Sequence, residues 1–249
     1  NQKLPLSRYV LRVTKYRMNV SRESAFVGFD EALLISETMP RQNRVTPFSD
    51  LVSTPARGTL MGNRGCLHNR QGEIRRWYQG KRWIICLLHF KNRQRAVMTP
   101  GQYTELFFLD EATGLAAGHR PCAECQRERF DLFRLTWAQA NSDVTNTPRP
   151  AAPFIDGILH QERVTGEGKK RTHLVEINGL PNGSFVTIPG DCDAYLILQG
   201  KLLRWSPFGY ESVLRPPAVI EVTVLTPPSV VRTLAAGYQA GLHPSAFTA

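Results

Sequence analysis

The sequence predicts an α+β chain, on three observations. Two cysteines at C-x-x-C spacing, Cys122 and Cys125, follow a strand-like run and a short helix. Phe130, Phe133 and Trp137 then recur at helical spacing. Further on, three apolar runs separated by Pro-Gly and Gln-Gly turns read as an antiparallel meander. Together they describe a small hairpin-and-helix module centred on the cysteines, followed by a C-terminal module rich in β-meander.

Taken in order, residues 1–38 show no sustained period apart from a short helix at 29–36. They read as a poorly ordered arm or a surface extension. Residues 39–145 form the first module. Strands are expected between Thr59 and Phe90, the longest apolar run being Arg82 to Phe90, with a further strand at 93–98. Leu106 to Leu109 reads as a strand, Asp110 to Ala117 as a helix, and 122–141 as the clearest helix. A Pro/Asn/Thr linker spans 141–153, and 154–163 reads as a second helix. Residues 150–249 form the β-rich module. Its runs are 184–188, 194–198, 201–205 and 219–225, closed by a helix that starts at Pro227-Pro228 and ends before Gly237.

The C-x-x-C pair carries the chemistry. Its spacing aims two sulfurs at one point and supplies half of a tetrahedral zinc site; a helix starting at the pair would favour thiolate over thiol. Two ordinary buried cysteines are the competing reading. Five cysteines in 249 residues is an odd, sparse count that suits reduced thiols better than a disulfide framework. Cys192 is read as a free thiol. With no bilayer-length apolar run and no signal-like core at the start, the expectation is a cytoplasmic protein without membrane contact or an evident small-molecule cofactor.

The run ELFFLDEATGLAAGHRPCAECQRERF, residues 105–130, resembles the second half of the Ada-type zinc-binding domain of methylphosphotriester-DNA repair proteins and some nucleases. Ala116-Ala117-Gly118-His119-Arg120-Pro121-Cys122-x-x-Cys125 carries the likeness. Met61 to His68 echoes the Gly-Asn-Lys/Arg…His opening of the nuclease-associated forms. The resemblance implies four zinc ligands, with Cys122 and Cys125 as the second pair and His68 in the first. The family's first pair, Cys-x3-Cys or His-x3-Cys, has no counterpart, because Gly72 stands four residues after His68. No position matches the methyl-accepting cysteine. Cys86, on the apolar run 83–88, is taken as the fourth ligand; Cys86 with His89, a C-x2-H, is the alternative. His119 is read as a packing or hydrogen-bonding residue.

Charge points to a partner. Residues 61–100 hold nine Lys or Arg and one acid, Glu73, whereas 151–249 hold eight of each sign. Arg75, Arg76, Lys81 and Arg82 bracket Trp77 and Tyr78. Guanidinium groups among aromatic rings suit phosphate contact and base stacking. With Arg64 and Arg127 they make a candidate nucleic-acid face, for DNA before RNA. A solvated hairpin with inward aromatics is the competing reading. The functional expectation is a zinc-binding protein that contacts nucleic acid, the zinc being mainly structural. The alternative is an enzyme on nucleic acid or nucleotide, nuclease-, repair- or deaminase-like. It draws on His160-Gln161-Glu162, which with the C-x-x-C gives both halves of a zinc-deaminase signature in reversed order, and on Lys170, Arg171 and His173 nearby.

Overall fold

The computed structural model describes residues 39–93, 96–215 and 220–249. The arm expected at 1–38 lies outside the described residues, as do parts of the runs 93–98 and 219–225. Residues 40–249 form one compact unit.

Among the described residues the fold is α+β, with helices and two six-stranded sheets. The first sheet contains β1 (Gln42–Val45), β2 (Leu51–Ser53), β3 (Leu60–Asn63), β4 (Ile84–Cys86), β5 (Leu106–Phe108) and β6 (Arg120–Pro121), in the order β2-β1-β5-β3-β4-β6. The second contains β7 (His173–Glu176), β8 (Phe185–Thr187), β9 (Tyr195–Leu198), β10 (Lys201–Ser206), β11 (Gly209–Leu214) and β12 (Glu221–Val224), in the order β11-β10-β9-β8-β12-β7. The helices are α1 (Glu111–Ala116), α2 (Arg127–Ala140), α3 (Ala152–Arg163) and α4 (Pro228–Ala235).

The meander forms as its pattern requires. Gln199 and Gly200 both take positive φ, which closes β9 on β10 with a two-residue turn. Side chains then alternate between two cores. Leu196, Leu203 and Trp205 enter one, and Tyr195, Ile197 and Leu202 enter the other. Because both faces are covered, these strands read as continuous apolar runs.

The linker after α2 does not separate the cores. Leu67, Ile85, Phe108 and Trp137 share one cluster with Ile155, Leu159, Val230 and Leu234. α1 ties the sheets together. Its N-cap Asp110 accepts from Thr113 N at 2.8 Å and also from the Tyr210 hydroxyl at 2.7 Å. Glu111 accepts from the Tyr238 hydroxyl at 2.6 Å and from Arg129 at 2.5 Å. Among the described residues no helix is long and apolar enough to cross a membrane.

Candidate metal centre and basic hairpin

Three sulfurs converge where β4 and β6 end. These strands run parallel, with Ile84 opposite Arg120 and Ile85 opposite Pro121. Cys122 N donates to Ile85 O at 2.8 Å. The next residue on each strand, Cys86 and Cys122, therefore leaves the sheet at the same level. The chain turns after Cys122, with Gln126 N donating to Cys122 O at 3.1 Å, and brings Cys125 back to the pair. The three sulfur atoms lie within 4.8 Å of one another and are close enough to hold a metal ion.

The surroundings brace this turn. Gln126 Nε2 donates to Ile85 O at 2.8 Å. Arg120 is buried and grips Asp156 of α3 with two hydrogen bonds, of 2.9 and 2.8 Å. Glu124 N points at Cys122 Sγ from 3.4 Å. The helix expected to start at 122 begins instead at Arg127. Cys122 and Cys125 sit in the preceding turn, where the Cys122 sulfur takes backbone N–H groups.

Protons are shared unequally among the sulfurs. Hydrogen bonds from Cys125 and then Cys86 draw the Cys122 thiol down to about 2. The same hydrogen bonds push the thiols of Cys86 and Cys125 up, because their protons are engaged by Cys122. A bound dication would let all three ionise. Zinc–sulfur bonds of about 2.3 Å in a tetrahedron need sulfurs just under 4 Å apart, which this cluster can meet with little movement.

The structure brings Cys86, Cys122 and Cys125 together and leaves His68 apart. His68 is buried, with Nδ1 2.6 Å from Thr104 Oγ1 and Nε2 3.2 Å from Thr99 O. Both ring nitrogens are thus occupied by neighbours on the segment before β5. His89 is exposed, three residues beyond Cys86. Its loop is tied to the C-x-x-C turn by an Arg93–Glu124 ion pair of 2.6 Å. Cys66 and Cys192 lie outside the cluster.

The basic segment divides in two. Arg75, Arg76, Lys81, Arg82 and Arg127 are exposed, Arg75 in an ion pair with Glu73. Arg64 is not on that face. It is fully buried, donating to Ser49 O at 2.9 Å with its guanidinium 4.7 Å from the Trp83 ring centroid. Arg64 directly follows β3 and turns into the core, where its guanidinium lies over the Trp77 and Trp83 rings. Trp77 is half-buried, its indole N–H donating to Ser49 O at 2.8 Å, edge-on to Trp83.

Glu162 accepts from Ser229 N and Oγ and so caps α4, while His160 packs on Tyr78. Neither belongs to the cysteine cluster. Sequence reasoning missed Arg120, Asp156 and Arg163. Arg163 follows Ile155 and Leu159 at four-residue spacing on the buried stripe of α3, a signal that was there to read.

Comparison with protein-family models, with curated proteins and with solved structures returned no match.

Proposed function

We infer that this protein binds one zinc ion through Cys86, Cys122 and Cys125 and contacts nucleic acid, DNA before RNA, through its basic hairpin. The convergence of three sulfurs at the ends of two paired parallel strands carries the reading. Thiolate donors select zinc over harder cations. His89, at C-x2-H spacing on an exposed loop, is the residue best placed in sequence to complete the shell. The ion would then fasten β4, β6 and the start of α2. Arg76, Lys81, Arg82 and Arg127, all exposed, would meet phosphates.

A second reading, an enzyme, draws support from the donor count. Three protein ligands leave one position for water, as in catalytic zinc sites. A metal assay combined with X-ray absorption separates the two. A closed shell of three sulfurs and one imidazole supports the structural role; three sulfurs with a bound water supports the enzyme.

A further inference from the structure

Trp83 is the hub of a second cluster. Two guanidinium groups lie against its buried indole, Cζ of Arg163 at 4.1 Å and Cζ of Arg64 at 4.7 Å from the ring centroid. The His119 ring lies 5.1 Å away. Lys170, whose stem is partly exposed, turns its ammonium inward, and its charge acts on His119 together with those of Arg64 and Arg163. Arg64, Arg163 and His119 are fully buried. The four residues come from four places: the end of β3, the turn after α1, the last turn of α3, and the segment before β7. Gly118 makes this approach possible. It takes φ of +86°, and a Cβ there would stand 2.5 Å from Cδ of Arg163.

Part of this charge has a structural use. Arg163 donates to Gly118 O at 2.6 Å and to Lys81 O at 2.5 Å, Arg64 donates to Ser49 O, and Lys170 donates to Ala116 O. These carbonyls do not exhaust the donors. Nε and Nη1 of Arg64, Nε of Arg163 and both ring nitrogens of His119 are buried without a hydrogen-bond partner among the described residues. Each such group is costly to leave unpaired, and more so where it is charged. The acids that act on this cluster do not hydrogen-bond its free N–H groups. Asp50, whose charge reaches Arg64 and Lys170, is exposed. Asp156 and Glu162, whose charges reach Arg163, are bound to Arg120 and Ser229. Burial holds Arg64 and Arg163 at about 9, and burial with repulsion from both arginines brings Lys170 to about 7.

We propose that Arg64, Arg163, Lys170 and His119 form an internal receptor for a phosphate-class oxyanion, which accepts the N–H groups that the carbonyls leave over. Charge-assisted bonds of this kind are the strong ones, and guanidinium matches phosphate geometry. Tyr78 and His160, both partly exposed, pack on Trp83 and mark the side nearest solvent. His160 Nδ1 also lacks a hydrogen-bond partner among the described residues. Lys81 and Arg82 immediately precede Trp83, so the surface charge of the hairpin leads to the buried charge. A strand lying on the hairpin would present a terminal phosphate monoester; free phosphate supplies the same chemistry. The strand as source rests on the nucleic-acid reading above, whereas the receptor does not.

The test is a phosphate titration of the zinc-replete full chain, 15N-labelled, at constant ionic strength set with sodium chloride. The Nε–H resonances of Arg64 and Arg163 should shift saturably with inorganic phosphate. Lys170→Met should weaken that binding about tenfold, the loss of one charge-assisted bond, and Lys201→Ala, at an exposed position on β10, should leave it unchanged. Resonances that stay fixed, or binding kept at wild-type strength in Lys170→Met, would overturn the receptor. The wild-type titration decides the matter even if Lys170→Met fails to fold. A 5′-phosphorylated single strand that displaces phosphate better than its 5′-hydroxyl twin supports the receptor with nucleic acid as its source. Saturable phosphate binding with no difference between the strands supports it with free phosphate as the source, and leaves the nucleic-acid reading to stand or fall on the hairpin.

Discussion

Cys86 and Cys122 leave two parallel strands side by side, each one residue past the Ile85–Pro121 pair. That register makes the sulfur cluster a property of the sheet. A one-residue slip between β4 and β6 would turn one sulfur to the other face. The centre therefore responds to whatever holds β6 in place, above all the buried Arg120–Asp156 pair.

Removing any cluster cysteine should remove the metal. Cys86→Ser, Cys122→Ser and Cys125→Ser should each purify with little zinc, and Cys66→Ser and Cys192→Ser should keep it. Zinc at about a thousand times its Kd stabilises a fold by roughly 4 kcal/mol. The three ligand variants should lose stability of that order, read by denaturant unfolding with and without chelator. Zinc retained at wild-type level in Cys86→Ser would remove β4 from the centre.

The two histidines should behave differently. His89→Ala should loosen zinc with little loss of stability in the zinc-saturated protein. His68→Ala should keep its zinc and cost about 1–3 kcal/mol, because Thr104 and Thr99 lose a buried partner. Chelator competition and unfolding curves on both variants check this. The reverse pattern would restore His68 as a ligand.

Asp156→Ala should be severe. Arg120 would be left buried and unpaired, at a cost of about 3–5 kcal/mol. A loss of under 1 kcal/mol in urea unfolding would show that Arg120 finds water instead.

Stability should fall in acid partly through His119. Burial first, then Arg64, Arg163 and Lys170, hold its pKa well below 6.5. Below pH 6.5 the unfolded chain takes up this proton and the folded one does not. Stability is thus lost as pH falls, by about 1.4 kcal/mol per pH unit for one proton. Unfolding of His119→Gln between pH 5 and 7 should show a slope shallower by up to that amount. An unchanged slope would mean that His119 charges freely in the fold.

Binding to nucleic acid should weaken with salt. Each phosphate neutralised contributes roughly −0.9 to the log–log slope on duplex DNA. Arg75, Arg76, Lys81 and Arg82 changed together to Ala should flatten the slope and lower affinity for all sequences alike. A folded quadruple variant with wild-type affinity and slope would leave the hairpin a solvated face.

Local signals were legible and long-range ones were not. Gln199-Gly200 and the helical spacing of Phe130, Phe133 and Trp137 announced their elements because turn chemistry and periodicity are local. Cys122 and Cys125 were readable as a pair because three residues fix their geometry. Cys86 was reachable from its place on an apolar strand. The position of His68 depends on Thr104, 36 residues away, and that separation leaves no trace in spacing. Two-residue β6 is too short for any period, yet it sets the register of the sulfur cluster. The burial of Arg64 could not be read from charge, because an arginine sandwiched among tryptophans looks the same in sequence as one facing solvent.

Zinc K-edge absorption on the purified full chain, with metal content measured on the same sample, decides whether Cys86, Cys122 and Cys125 hold zinc. One zinc per chain is expected, with three sulfurs at about 2.3 Å and one lighter ligand at about 2.0–2.1 Å. Protein that folds to full stability without metal, or a zinc shell with fewer than three sulfurs, would contradict it.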